Sequence, residues 1–244
     1  MARKGRKYDI EPAPRRESVV ATYIPVVSIA RLTANDPAPS SILREHDVAV
    51  FSRGFTGRRR DSDSSLPPGQ YLTQDFPVLS AGPTPRIDTA KWTFSVRDEH
   101  GNTTTWDWQQ FHDLGLEEIH TDIHCVTRWS KLGTTWRGVA LDKIFATIDT
   151  SFEFVMASSY GGYTTNVPLV DLLDGKAWIA TEYDGGPLDP EHGGPARLLV
   201  PHLYFWKSAK WIRQLQMMPK DEPGFWEQNG YNLYGDPWKE QRYW

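Results

Sequence analysis

The stretch "IHTDIHCVTRW", residues 119–129, holds the single cysteine of a 244-residue chain. Cys125 directly follows His124, with His120 five residues before it and Arg128 three after. A free cysteine most often packs as a small buried hydrophobe, and three kinds of chemistry compete with that use. The first is a zinc site built from Cys125, His124 and His120. Neighbouring strand residues point to opposite faces, so 124 and 125 do not easily share one ion. No second cysteine supplies the C-x-x-C spacing common in such sites. The second is a nucleophilic thiol served by a histidine base. His46, His100, His112, His120, His124, His192 and His202 are candidates for that base, although no local signature of the thiol proteases surrounds the cysteine. The third is a thiolate acting as one soft ligand to a heavier transition metal, whose remaining sulfur donors come from a cofactor.

The third use needs room for a large anion, and the second half of the chain carries residues suited to one. "HGGPARLLVP" (192–201) sets a Gly-Gly turn between His192 and Arg197, and glycine permits close backbone approach. "YFWKSAKW" (204–211) interleaves Lys207 and Lys210 with a hydroxyl and aromatic rings. Lysine serves as a point charge for phosphate, and the small Ser208 and Ala209 let backbone N–H groups face an anion. The plainer use of the same residues is a basic surface patch, with the tryptophans packed across a sheet.

Regular elements must bring these segments together, and they begin near Lys91. "KWTFSV" alternates like a strand, "DEHGN" supplies hairpin residues and "TTTW" resumes extended structure. "WDWQQFHDLG" reads as a helix closed by Gly115. "TDIHCV" is a short strand that runs into a loop at "TRWSKLGTTWRG", and "VALDKIFATI" is an amphipathic helix. "FEFVMAS" and "YTTNVPL" are strands around the Gly161-Gly162 turn, and "LVDLLDG" is a short helix stopped by Gly175. "AWIATEY" and "RLLVPHLY" are strands bracketing the turn-rich "DGGPLDPEHGGPA", and "IRQLQMM" is one more. The tail "GFWEQNGYNLYGDPW" wraps the core through its aromatics. The expected fold class is α+β, with mixed β-sheets and short helices.

Composition bounds the rest. The chain suits one large domain, read as residues 51–244 after a loosely held arm, residues 1–50. "GFTGRRRDSDSSLPPGQ" (54–70) is a loop whose Arg58-Arg59-Arg60 run is solvated surface. With 27 basic and 31 acidic residues the net charge is −4, so no overall field draws nucleic acid or an anionic membrane. No stretch reaches the ~20 apolar residues of a membrane span. One cysteine leaves the fold independent of disulfides and of an oxidising compartment. Arg15-Arg16 ahead of "SVVATYIPVVSIA" faintly resembles a twin-arginine export signal, but acidic residues flank the pair and polar ones interrupt the apolar stretch. The expectation is a cytoplasmic protein, with export as the alternative. Eleven tryptophans, many beside Gly, Pro, Lys or Arg, suit the walls of a cleft as well as a core.

Four ordered segments, "DIHCVTRWSKLGTTWRGVALDKIF", "SSYGGYTTNVPLVDLL", "PLDPEHGGPARLLVPHLYFWKSAKW" and "GFWEQNGYNLYGDPW", resemble the molybdenum-cofactor domain of the sulfite oxidase family. The likeness is greatest to its compact prokaryotic members without a haem domain, and it runs from about "LPPGQ" to the end. The resemblance implies that domain's fold and a molybdenum–molybdopterin cofactor. It implies Cys125 as the thiolate bound to molybdenum, beside the two dithiolene sulfurs. It implies cofactor contacts from His192 and Arg197, from Ser158, and from Ser208, Ala209 and Lys210 around the phosphate. "YLTQDFPVL" (71–79) resembles the family's cofactor loop, which makes Thr73, Gln74 and Asp75 contacts. Tyr163 matches a tyrosine beside the metal, and Arg128 stands near the position of an arginine shortly after the ligand cysteine. Sulfite-oxidising members carry a substrate-binding arginine where Thr73 stands here. The implied activity is oxo transfer coupled to two-electron transfer on a small oxyanion or an S- or N-oxide, with a separate electron-transfer partner. A cofactor carrier without turnover is the alternative, and a thiol hydrolase ranks last.

Overall fold

The structure is a computed structural model and describes residues 65–80 and 82–244. The expected arm (1–50), the twin-arginine-like stretch and Arg58–Arg60 lie outside those residues. Among the described residues, eleven strands and three short helices follow in order: β1 Tyr71–Leu72, β2 Thr93–Arg97, β3 Thr103–Asp107, α1 Trp108–Asp113, β4 Glu117–His124, β5 Trp129–Ala140, α2 Leu141–Phe145, β6 Phe154–Ser159, β7 Thr164–Pro168, β8 Trp178–Tyr183, β9 Gly186–Pro187, β10 Arg197–Leu199, β11 Ile212–Met218 and α3 Phe225–Gln228. Among the described residues no helix is long and apolar enough to cross a membrane.

Two mixed sheets result, as expected for the α+β class. One has the order β3-β2-β11-β6-β7, with β2 and β11 parallel. The other is centred on β5, which pairs antiparallel with β4 and, through Trp136–Ala140, with β8. Its first residues pair in parallel with β1, while β10 and β9 pair with β8.

The expected loop over 127–138 is instead most of β5, the longest strand. Its Thr, Trp and Val residues favour a pleated surface, and its two glycines, which suggested a loop, have strand-specific work. Gly133 has φ +63 and lies where the β4 register shifts, with its N–H donating to the Asp122 carboxylate at 2.7 Å. Such an irregularity is a bulge, a usual place for glycine in a strand. Gly138 lets β8 come close, because a Cβ there would lie 2.4 Å from the Ile179 carbonyl oxygen.

The other elements match the sequence pattern more closely. α1 starts with a reciprocal capping box between Asp107 and Gln110, and Gly115 follows its end at φ +91. The expected helix over 139–148 is trimmed to α2, and "LVDLLDG" gives only a 3₁₀ turn over Leu169–Asp171. The tail contains the single turn of α3.

Alternation along the strands divides the apolar residues into two cores. One contains Phe94, Val96, Val155, Ala157, Ile212 and Leu215 of the five-stranded sheet, together with Val139, Ile179 and Leu198 of the other. The second contains Ile123, Cys125, Trp129, Trp136, Ala180, Leu199 and Phe205. Ile179 and Ala180 therefore belong to different cores, as do Leu198 and Leu199. Period-two geometry directs Arg197 to the same side as Leu199.

Candidate active site

Cys125 sits at the hinge of the β4–β5 hairpin. Its N–H donates to the Trp129 carbonyl at 2.8 Å, and the Arg128 N–H donates to its carbonyl at 3.0 Å. Arg128 has φ +77, the left-handed residue that completes a three-residue hairpin loop. This turn fixes the direction of the cysteine side chain, which is 7% exposed and has Thr127 Oγ1 3.1 Å from Sγ. Burial raises the thiol's pKa, with the Thr127 hydrogen bonds acting the other way. His124 points elsewhere: Nδ1 lies 2.8 Å from Ser130 Oγ in a buried contact. Among the described residues no group of three His, Cys, Asp or Glu side chains could hold a metal ion, which removes the zinc reading there.

The thiol opens on a cavity of about 310 Å³. Tyr163, His192, Arg197, Ser208 and Lys210 line it with Cys125, so it gathers the residues picked from both halves of the sequence. The Gly-Gly turn makes this convergence possible. A Cβ on Gly193, which has φ +110, would lie 3.0 Å from Lys210 Cα and 3.1 Å from Arg197 Cβ. A Cβ on Gly194 would collide with the Leu188 carbonyl oxygen at 1.9 Å.

The two cations are held by carbonyl oxygens alone. Arg197, 1% exposed, donates to His192 O and Ser208 O at 2.7 Å each and to Leu198 O at 3.4 Å. Its guanidinium lies 4.0 Å from the Phe205 ring centroid. Lys210 Nζ donates to Leu79 O at 2.7 Å and Glu191 O at 2.6 Å. Among the described residues neither forms an ion pair with a carboxylate. Burial pulls the Arg197 pKa down to about 9. Burial, then the neighbouring Arg197 charge, pulls Lys210 down to about 8. Both shifts are those of positive charges removed from water without a full counter-charge. His192 stacks on Phe76 with centroids 3.8 Å apart, and its Nδ1 is buried without a hydrogen-bond partner. Burial, reinforced by Arg197 and Lys210, lowers its pKa.

Ser208 and Tyr163 help shape the same cavity. Ser208 Oγ accepts from Val200 N at 2.9 Å, while Ala209 is buried in the first core and its carbonyl accepts from Leu198 N. The Tyr163 hydroxyl donates to Trp206 O at 2.7 Å, and burial raises its pKa well above the usual phenol value.

Other expected contacts fall away from the cavity lining. Thr73, Gln74 and Asp75 form a local turn, in which Thr73 Oγ1 accepts from Asp75 N at 3.1 Å. The residues of that loop that do reach the cavity are Phe76, Pro77, Leu79 and Ser80. Ser158 lines a separate polar pocket with Thr93, Thr105 and Arg213, and Arg128 is exposed outside the cavity. Lys207 is not surface either. It is fully buried and pairs with Glu227 at 2.6 Å, with further bonds to Asn166 and Leu233 O.

Sequence reasoning also missed the aromatic wall from the tail. Trp226 and Tyr231 line the cavity and stack at 4.9 Å, and Trp206 meets Tyr231 edge-on at 5.0 Å. The density of tryptophan was the available signal, but it did not say which rings would turn inward.

Residues 81–226 match the family model for the oxidoreductase molybdopterin-binding domain. The chain belongs to that family. Among its curated relatives, the uncharacterized oxidoreductase YuiH of Bacillus subtilis (strain 168) is 41% identical over 194 residues, covering 78% of this chain and 98% of YuiH. The putative protein-methionine-sulfoxide reductase subunit YedZ1 of Azospira oryzae is 25% identical over 239 residues, covering 94% and 90%. The sulfane dehydrogenase SoxCD of Paracoccus pantotrophus matches in fold, with a TM-score of 0.52 and 15% identity over 60% of this chain and 42% of that one. A molybdopterin cofactor fits the residues that line this cavity. A buried Arg197 and a half-buried Lys210 without carboxylate partners, an unpartnered His192 nitrogen and a cavity-facing thiol suit an anionic cofactor that also accepts a soft sulfur ligand.

Proposed function

We propose that this molybdopterin-dependent oxidoreductase holds molybdenum through the Cys125 thiolate and transfers an oxo group to or from a neutral S- or N-oxide. The observation that carries this reading is the convergence of Cys125, Arg197 and Lys210 on one cavity whose cations lack carboxylate partners. When bound, the cofactor supplies two-electron oxo transfer, which side chains cannot perform. Arg197 and Lys210 pair with its phosphate, and His192 and Ser208 complete the polar contacts. Tyr163 stays protonated and holds Trp206 rather than acting as a base. Trp206, Trp226 and Tyr231 exclude water from the remaining space.

A neutral substrate follows from where charge is available. With Arg197 and Lys210 engaged by the cofactor, the described residues that line the cavity offer no further lysine or arginine for an oxyanion such as sulfite, since Arg128 lies outside and Thr73 stands at the family's arginine position. Aromatic rings and a polarizable sulfur group are favourable neighbours. The name of the Azospira oryzae relative points the same way. Electrons come from a separate redox partner.

The test is Cys125→Ser in the full chain, assayed with an artificial electron donor against a panel of sulfoxides, N-oxides and sulfite. The variant is expected to keep most of its pterin, to lose sulfur-to-metal charge-transfer absorption and to lose turnover. Unchanged absorption and turnover overturn the ligand assignment. A molybdenum-loaded wild type that turns over nothing in the panel makes the protein a carrier.

A further inference from the structure

The Cys125 turn is held from outside by a side chain 116 residues away in sequence. Arg242 Nη1 donates to Val126 O at 2.6 Å, one residue beyond the cysteine. Its Nη2 donates to Pro68 O at 3.3 Å and lies 3.9 Å from Glu240. The guanidinium sits over the Tyr204 ring, 4.8 Å from the centroid, and the residue is buried. A second tie reaches the turn from the same side of the sequence as Pro68, where Gln70 Nε2 donates to Cys125 O at 3.0 Å.

Arg242 also joins the turn to the aromatic wall. Its carbonyl accepts from Asn232 N at 3.1 Å, and the next residue, Tyr243, bridges to Tyr231 with rings 5.3 Å apart. Arg242 thus ties the thiol's turn to the 67–70 turn through its guanidinium, and to the tail bearing Tyr231 through its backbone carbonyl. A rigid fork with donors in fixed directions suits this work better than a flexible ammonium.

We propose that Arg242 is a positioning residue, which fixes the direction of the Cys125 thiol toward the cavity without itself touching the cofactor. The proposal rests on the assignment of Cys125 as the metal ligand. The thiol's surroundings explain why a tie is needed. The loop is only three residues long and has a non-glycine residue in the left-handed region at Arg128, a conformation that persists when its surroundings enforce it. Removing a donor from Val126 O also leaves a carbonyl poorly satisfied, so the turn gains a reason to relax.

The test uses the single cysteine as a probe, since alkylation of this chain by iodoacetamide has one thiol target. Full-length wild type, Arg242→Gln and Arg242→Lys are compared, each produced with and without molybdenum. In the cofactor-free chain, Arg242→Gln is expected to raise the alkylation rate about ten-fold through more frequent local opening, and Arg242→Lys to recover only part of the protection. In the loaded enzyme, Arg242→Gln should shift the sulfur-to-metal charge-transfer absorption while pterin content stays near wild type, because Arg197 and Lys210 are untouched. Unchanged alkylation and absorption, with only a lower melting temperature, overturn the proposal and leave Arg242 a structural residue. If Arg242→Gln does not fold, Gln70→Leu removes the other tie and carries the same expected results. Cys125→Ser run in parallel separates the two assignments. If it leaves the absorption unchanged, the ligand assignment fails; if it abolishes the band while Arg242→Gln alters neither readout, positioning alone fails.

Discussion

Replacing Arg197 by methionine should separate cofactor binding from folding. The folded protein keeps this guanidinium 1% exposed, and burial brings its pKa from 12.5 to about 9. At 1.36 kcal/mol per unit, holding the charge there is disfavoured by about 5 kcal/mol. Against this stand bonds to the His192, Ser208 and Leu198 carbonyls, at ~1.5–3 kcal/mol each for a charged donor with good geometry. The two sides nearly offset, since the Leu198 bond is long. Methionine fills much of the space and removes both, so the cofactor-free variant should lie within about 2 kcal/mol of wild type, or ~4–8 °C in melting temperature for a body of this size. Binding behaves differently, because the anion loses its buried partner. A loss of about 3 kcal/mol, the upper range for one charge-assisted bond, is roughly a hundred-fold weaker hold. Differential scanning fluorimetry on the cofactor-free chain and fluorescence of oxidised pterin released from the loaded chain measure the two effects. A fall of more than ~15 °C without cofactor would make Arg197 a structural pillar and refute the reasoning, given the conversion above. Wild-type pterin content would refute it from the other side.

The buried Lys207–Glu227 pair should behave oppositely. Glu227→Gln leaves an ammonium at 0% exposure without its counter-charge, a loss of about 3 kcal/mol visible in thermal melts. Adding Lys207→Met should restore much of it, and a double variant no better than the single would exclude the pairing argument. Gly138→Ala puts a methyl 2.4 Å from the Ile179 carbonyl oxygen and 2.7 Å from Ala180 Cα, both backbone atoms that cannot swing away. It should cost more than ~3 kcal/mol by forcing β5 from β8, and a soluble variant melting within a few degrees of wild type would refute that.

The site was legible where chemistry is written in residue type. A lone thiol, a Gly-Gly turn before an arginine and a lysine beside small residues drew attention to Cys125, Arg197 and Lys210, and the fold brings all three to one cavity. Lys207 and Lys210 mark the limit of such reading. They stand three apart in one segment, yet one is neutralised by Glu227 from α3 and the other lines the cavity. Only the partner tells them apart, and it comes from another element. The loop 71–79 meets the cavity later than the resemblance implies, because Thr73 Oγ1 accepts from Asp75 N in a local turn and the chain turns inward at Phe76. β5 was hidden by Gly133 and Gly138, whose reasons for being glycine are a bulge and a neighbouring strand. Both are long-range facts. The short helices were overextended because amphipathic spacing says where a helix can run, while packing decides where it stops.

The alternation along β8 and β10 makes improvement of this protein a coupled problem. Ile179 and Leu198 fill the core between the sheets, while Ala180, Leu199 and the cavity-lining Arg197 face the other way on the same few residues of backbone. A substitution that enlarges Leu198 moves the peptide carrying Arg197, so selection for heat tolerance on these strands also redraws the pocket. The freedom to drift lies elsewhere, on β3 and α1, whose residues are mostly exposed and none of which lines the cavity. A programme to stabilise the enzyme would therefore recruit its changes from that flank and leave the shared strands as inherited, while a programme to alter the pocket would need compensating changes on the core side of β8 and β10.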